Sequence, residues 1–272
     1  MASAQTTEKI TPINVAYPDT PDLRVHITEG ACRLKITPGE GAAWITGVHK
    51  DPTGARPPRI IQEGGYVRIT EDQHAPGFWG ALWSGRGFAA PTFELAFGKS
   101  RPYRLTVEVG ASENILDLGG LPISHLAVKH GAGKTDINFS APNPREMSLL
   151  EIGAGAGSTE LRNLANANCA EIIVEGGMAS YALDFGGTLR RDTHARISAG
   201  LSSVTIAIPV ATAAKITADM PLGHVEAGDG FTTREGAFWT QAAMEGQQPM
   251  LTIIANVALG SLALRTMEAY GA

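Results

Sequence analysis

Glycine recurs on a fixed step through the second half of the chain. Gly110, Gly133, Gly155, Gly177, Gly200 and Gly223 are separated by 23, 22, 22, 23 and 23 residues. A period in this range confines a chain to architectures in which each unit buries its apolar face against the next. The flanks repeat as well. Five positions before the glycines stand Leu105, Val128, Leu150, Ile172, Ala195 and Ala218, and three before stand Val107, His130, Ile152, Val174, Ile197 and Met220. Six after the first five come Leu116, Phe139, Leu161, Leu183 and Ile206, so His130 alone breaks the three columns. A spacing of two between buried positions is the period of a strand, and the glycine that follows marks a turn or a close approach of backbones. Helix is a poor alternative over this region, because a glycine at every unit centre costs roughly 1 kcal/mol relative to Ala and no 3.6-residue period is sustained, so very little helix is expected. The predicted fold is an all-β solenoid of stacked short strands with 22–23 residues per coil.

Weaker units flank the regular ones. Leu23–Gly30, Arg59–Gly65 followed by Tyr66–Ile69, and Phe93–Gly98 read as early irregular coils. The organisation read from the sequence is therefore residues 1–98 as irregular N-terminal β coils, continuous with regular repeats over 99–272. Asp229–Met250 interrupts the rhythm as an inserted loop before Leu251–Gly260 resumes it as a final coil. The 32 glycines in 272 residues exceed the usual share of about 7%, and they serve turns, since no collagen-type period is present. Net charge is −5 without a basic cluster, so a nucleic-acid partner is not expected. The longest apolar stretch, Leu251–Leu264, holds Asn256, Gly260 and Ser261 and is too short for a spanning helix, and Met1–Ile10 has no secretory pattern, which together point to the cytoplasm. Cys32 and Cys169 stand far apart and read as buried small side chains.

The run Leu116-Asp-Leu-Gly-Gly-Leu-Pro-Ile-Ser-His-Leu-Ala-Val-Lys-His-Gly-Ala-Gly133, with Leu150–Gly155, Gly176-Gly177 and Leu183-Asp-Phe-Gly-Gly187, resembles the bacterial toast-rack group. That group includes the C-terminal domain of LiaF-like cell-wall-active antibiotics response proteins and related adhesin-type domains. The resemblance covers about Leu95 to Ile216, and the N-terminal third resembles the companion segment that precedes it. It implies an all-β stack without known catalytic residues, in proteins tied to envelope stress signalling or adhesion. The chain departs from the LiaF-like membrane proteins in having no transmembrane segment.

Candidate chemistry is sparse. Asp117, Asp136 and Asp184 fall near one phase of three units but not in strict register, which suits solvated strand-edge charge better than a carboxylate site. His125, His130, His194 and His224 form no metal-ligand spacing, no GxSxG is present, and Gly131-Ala-Gly-Lys-Thr135 lacks the first glycine of a phosphate loop. No catalytic residue, metal or cofactor is expected. Two aromatic clusters qualify as a binding surface or as caps on the ends of the core: Phe78, Trp79, Trp83 and Phe88 in one loop, and Phe231, Phe238 and Trp239 in the other. The function expected is a non-catalytic scaffold or protein-interaction module, partnered by another protein or by end-to-end copies of itself. The alternative is a carbohydrate-active enzyme or carbohydrate-binding protein of the right-handed β-helix type, a fold with similar coil lengths.

Overall fold

A computed structural model describes residues 8–54, 56–71 and 90–268. Seven long parallel strands of 15 to 18 residues form its centre: β2 (Arg24–Pro38), β7 (Tyr103–Asp117), β8 (Ile123–Asn138), β9 (Met147–Arg162), β10 (Cys169–Asp184), β11 (Thr193–Pro209) and β16 (Met250–Met267). They lie side by side in that order within one 16-stranded sheet. Helix among the described residues is confined to a 3-10 turn at Leu164–Ala167 and one turn at Gln241–Met244. The chain is thus the all-β, solenoid-like stack that its glycine period predicts.

Each long strand changes phase once. In β7, Tyr103, Leu105, Val107 and Val109 point inward, then Gly110 and Ala111 both face out, and Asn114 and Leu116 point inward again. Two consecutive outward residues fold the strand over itself, so both halves line one interior. From β7 to β11 the corner is glycine because adjacent corners touch through backbone, and only the last two rungs carry Ala258 and Pro221 there. A Cβ on Gly131 would sit 2.7 Å from the Gly110 carbonyl oxygen, and one on Gly177 or Gly200 would sit 2.9 Å from the oxygen of the glycine on the preceding rung. Two residues on, Gly133, Gly157 and Gly260 hold φ of 129°, 121° and 135°, which disfavours side chains at that step of the corner.

The pairing register corrects the sequence reading at two glycines. Gly110 is opposite Gly131, not Gly133, and the corner line runs Gly110, Gly131, Gly155, Gly177 and Gly200 at steps of 21, 24, 22 and 23. Gly223 also stands two residues past the corner, opposite Gly260, and Pro221 takes the corner place on the last rung. Both errors have one cause: the segments carry a second glycine or small residue two places on, and return loops of unequal length absorb the difference. In the true register no column is broken. Leu105, Leu126, Leu150, Ile172 and Ala195 form one buried line, Val107, Val128, Ile152, Val174 and Ile197 a second, and Leu116, Ile137, Leu161, Leu183 and Ile206 a third. Val25, Ile27 and Ile36 of β2 extend these lines at one end, and Ile253, Ala255 and Leu264 of β16 at the other. Each Val, Leu or Ile in these lines contributes about 1.5–3 kcal/mol when fully buried.

Return segments between the long strands close the coils with asparagine. Asn143 Nδ2 donates to the Ile123 carbonyl at 2.8 Å, Asn166 Nδ2 to the Phe139 carbonyl at 3.0 Å, and Asn166 Oδ1 accepts from the Thr188 N–H at 3.0 Å. Asn163 and Asn168 supply left-handed residues at φ 56° and 54° on either side of the 3-10 turn, a conformation that asparagine tolerates.

The stack is finished differently at its two ends. Beside β2 run β5 (Tyr66–Glu71) along its first half and β6 (Thr92–Phe97) along its second, followed outward by β4 (Pro58–Glu63), β3 (Ile45–Asp51) and β1 (Lys9–Val15). Pro12 lies on β1 at the sheet's edge, where a residue without an N–H blunts further pairing. At the other end, β12 (Ala213–Asp219) and β13 (Leu222–Ala227) both pair with β16, and β14 (Phe231–Arg234) and β15 (Ala237–Thr240) form a hairpin on β12. The segment read as a final coil is therefore not terminal in space: β16 lies between β11 and β12.

Candidate interaction surface

The bent strands hold outward side chains on adjacent rungs at a spacing of about 4.8 Å. Over the early rungs this outer wall carries paired charge. His26 Nε2 lies 3.0 Å from Glu108 Oε2, Lys129 Nζ 2.8 Å from Glu151 Oε1, and Arg162 Nη2 2.6 Å from Asp136 Oδ1. Hydrogen bonds to Glu151 and to Asp136 raise the Lys129 and Arg162 pKa values respectively. A shallow hollow runs over Glu108, Lys129, Glu151, Gly153 and Glu175.

The sequence-predicted aromatic residues divide between two situations. Phe78, Trp79, Trp83 and Phe88 lie outside the described residues. Phe231 and Phe238 are half-buried against the main core, and Trp239 packs on Ala213, Ala242 and Ala243 in a small satellite core. Trp239 Nε1 donates to the Arg234 carbonyl at 3.2 Å, and Lys215 Nζ stands 4.9 Å from the centre of its ring. Thr240 Oγ1 accepts from the Ala214 N–H at 2.9 Å and donates to the Thr212 carbonyl at 2.8 Å. These contacts tie the hairpin down over the last rung.

The carboxylates singled out in the sequence each serve their own neighbourhood. Asp117 Oδ1 accepts from the Gly119 N–H at 3.1 Å and from Ser140 Oγ at 2.6 Å, and Asp184 Oδ1 accepts from the Gly186 N–H at 2.6 Å. Both fix return turns. His130 points inward, its Nε2 3.1 Å from Thr159 Oγ1, and burial lowers its pKa. Burial and the nearby Arg104 lower that of His125. Burial pushes the Cys169 thiol up to about 12 and raises Cys32 as well, so both thiols are held protonated and poorly nucleophilic. Among the described residues no three His, Cys, Asp or Glu side chains converge as metal ligands would. No described helix is long and apolar enough to cross a membrane.

Sequence reasoning missed two groupings. The first is interior. Glu29, on the inward position just before the corner of β2, is pushed up to about 9 from its ordinary 4.5 by burial and by the adjacent Glu71. Glu71 Oε1 in turn lies 3.1 Å from His49 Nε2, and Arg56 stands 4.0 Å from Glu71 and 3.9 Å from Asp51. Nothing in the local sequence marks these residues, which come from four separate segments. The second is exterior: the position just after the corner is alanine on the early rungs and Met178, Leu201 and Leu259 on the late ones. This change was visible as a column beside the glycines.

A single bent sheet with a continuous apolar core and rung-spaced side chains outside defines a structural β-stack of the solenoid type. Residues 2–162 match the family described as the N-terminal domain of toast_rack, DUF2154, and the chain belongs to the toast-rack family. The match takes in the irregular early coils as well as the first regular rungs. No curated protein matches the chain. Among solved structures, a candidate cell adhesion protein from Clostridium sporogenes is similar at 12% identity, with 96% of this chain and 100% of that one covered and a TM-score of 0.49. A candidate adhesin from Bacteroides fragilis is similar at 10% identity, covering 95% and 97% with a TM-score of 0.47. One from Parabacteroides distasonis is similar at 9% identity over 95% and 97%, with a TM-score of 0.42.

Proposed function

We propose that this protein is a non-catalytic interaction scaffold that presents its outer wall to a protein partner, in adhesion or in the response of a bacterial envelope to stress. The observation that carries this reading is the outer wall itself, where the stack fixes side chains of chosen chemistry at one spacing over seven adjacent long strands. A rigid array of this kind loses little conformational freedom on binding. The reactive groups support the same reading, since Asp117 and Asp184 are engaged in turns and both thiols are buried. Two unbridged thiols also suit a cytoplasmic location.

The test is site-specific photo-crosslinking in the native cells from position 134 on the early wall and position 203 on the late wall. A discrete protein adduct from at least one position is expected. Failure of both positions to give one would overturn the proposal. So would release of sugars from acidic polysaccharides by the purified chain that is lost in Asp117→Asn and Asp184→Asn.

A further inference from the structure

Where the chain enters the early rungs, the segments that lead into β2, β7 and β9 border a cleft of about 480 Å³, a size that admits a small-molecule ligand. The first segment carries Asp22, the second leads through Pro102 into Arg104, and the third carries Pro144, Arg145 and Glu146. Between them a bulge leaves Ser124 of β8 without an opposite residue on β7, since Tyr103 is opposite Ile123 and Arg104 opposite His125. A bulge bends its strand and re-aims the side chains beside it.

The arginines of this cleft are its unspent groups. Asp22 is paired with Arg24, and Glu146 Oε2 lies 3.2 Å from Arg191 Nη1, so both bordering carboxylates have partners outside the lining. Arg104 and Arg145 line the cleft, and among the described residues neither guanidinium has a hydrogen-bond or carboxylate partner. Four arginines therefore stand against two carboxylates, in a chain whose net charge is −5. The backbone beneath the two free arginines is nonetheless held. Asn143 Oδ1 accepts from the Arg145 N–H at 2.9 Å, and the Arg145 carbonyl accepts from Asn168 Nδ2 at 3.1 Å. The Arg104 N–H donates to the Leu23 carbonyl at 2.9 Å. Proline stands immediately before Arg145 and two residues before Arg104, which narrows both segments further. Guanidiniums carried on fixed backbone and left without a protein partner are preorganised for an anion. The charge of Arg104 also reaches its neighbours: after burial it is what lowers the His125 pKa, and after Arg24 it helps to hold the Asp22 carboxyl below its ordinary value.

What the two arginines offer selects the anion. A carboxylate is satisfied by one guanidinium fork, whereas two forks arriving from separate segments suit a tetrahedral phosphate with three free oxygens. The Ser124 hydroxyl adds no donor, since it donates to the Tyr103 carbonyl at 3.2 Å. We propose that the cleft lined by Arg104 and Arg145 binds a phosphate group, carried by a small polyol or by a lipid headgroup. The cleft lies at the entry ends of the rungs, away from positions 134 and 203 of the outer wall, so this site and the scaffold reading stand independently.

Calorimetric titration of the full chain with glycerol 3-phosphate, and co-sedimentation with phosphatidylglycerol vesicles, test this. Saturable binding of at least one probe is expected, weakened roughly tenfold in Arg104→Gln and in Arg145→Gln and lost in the double variant. Arg196→Gln, at an exposed position four strands away on β11, is expected to bind as the wild type does. Binding of glycerol 3-phosphate assigns a soluble ligand, and binding of the vesicles alone assigns a lipid headgroup. Both cleft arginines are exposed, so circular-dichroism spectra should not change. Should a glutamine variant disturb folding, Arg104→Lys with Arg145→Lys keeps both charges, removes both forks and is expected to weaken binding severalfold. A wild type that binds neither probe overturns the proposal, as does binding that survives in the double glutamine variant or is unchanged in the double lysine variant. Succinate bound as tightly as glycerol 3-phosphate overturns it in favour of a carboxylate, and equal loss in Arg196→Gln overturns it in favour of diffuse charge. Crosslinking at positions 134 and 203 reads the scaffold proposal separately from all of these.

Discussion

The early and late halves of the stack share one backbone and differ in what they put on its outside. From β7 to β9 the corner residue is followed by alanine, and the outer wall is paired charge; from β10 to β13, where the corner passes from glycine to Ala258 and Pro221, it is followed by methionine or leucine, and serine and asparagine stand beside it. The inner columns do not change between the halves: Leu161 and Leu183, or Ile152 and Val174, are equally buried. Inside positions are fixed by stacking and outside positions are left free. The difference therefore reports on surface contacts rather than on folding.

If folding demands are shared, a corner glycine matters equally in both halves. Gly155→Val sets a side chain against the Gly131 carbonyl and Gly200→Val one against Gly177, and neither backbone can yield without opening the ladder. Each is expected to cost about 3 kcal/mol or more, read as matched falls in the urea midpoint. A loss confined to one half would break the comparison. Glu29→Gln sharpens it, because the inward position before the corner carries an acid only on β2, whereas Ala199 and Val257 occupy it on β11 and β16. Glu29 is raised to about 9, so the folded chain holds a proton there that the unfolded chain releases above 4.5. Wild-type stability should therefore fall as pH rises from 4.5 to 9, and the glutamine variant should lack that slope, gaining about 3 kcal/mol at pH 7 and nothing at pH 4. Parallel pH profiles from chemical denaturation would contradict the assignment. The smallest effect belongs to the charged wall. Lys129→Ala removes an exposed pair with Glu151 and should change stability by less than about 1 kcal/mol, a difference that added salt erases.

The stacking period was legible because it has a physical cause: from β7 to β11 backbone meets backbone at the corner, so glycine recurs. Its phase was less legible. Gly131 and Gly133 both occupy special places on one strand, one for close approach and one for positive φ, and spacing alone does not say which is which. That ambiguity made His130 look like an intruder at a column it does not occupy. Its true neighbours are Val109 and Ala154, and Leu126 and Val128 fill the columns. The place of β16 was hidden for a different reason: β7 to β11 stack in sequence order, but every long strand offers the same parallel edge, so a strand that follows β12 to β15 in sequence can still take the place beside β11. The Glu29 grouping was hidden because Glu29, His49, Arg56 and Glu71 meet only once the first strands have wrapped around β2.

Because β16 sits between β11 and the pair β12 and β13, those two strands leave the ribosome before the rung that binds them exists. During synthesis β11 ends in a bare row of amides and carbonyls, and β12 pairing with it would seal the slot. Met250–Met267 therefore enters between strands synthesised before it, and because β14 and β15 are joined to β12, what it must part from β11 is a unit of three strands rather than one.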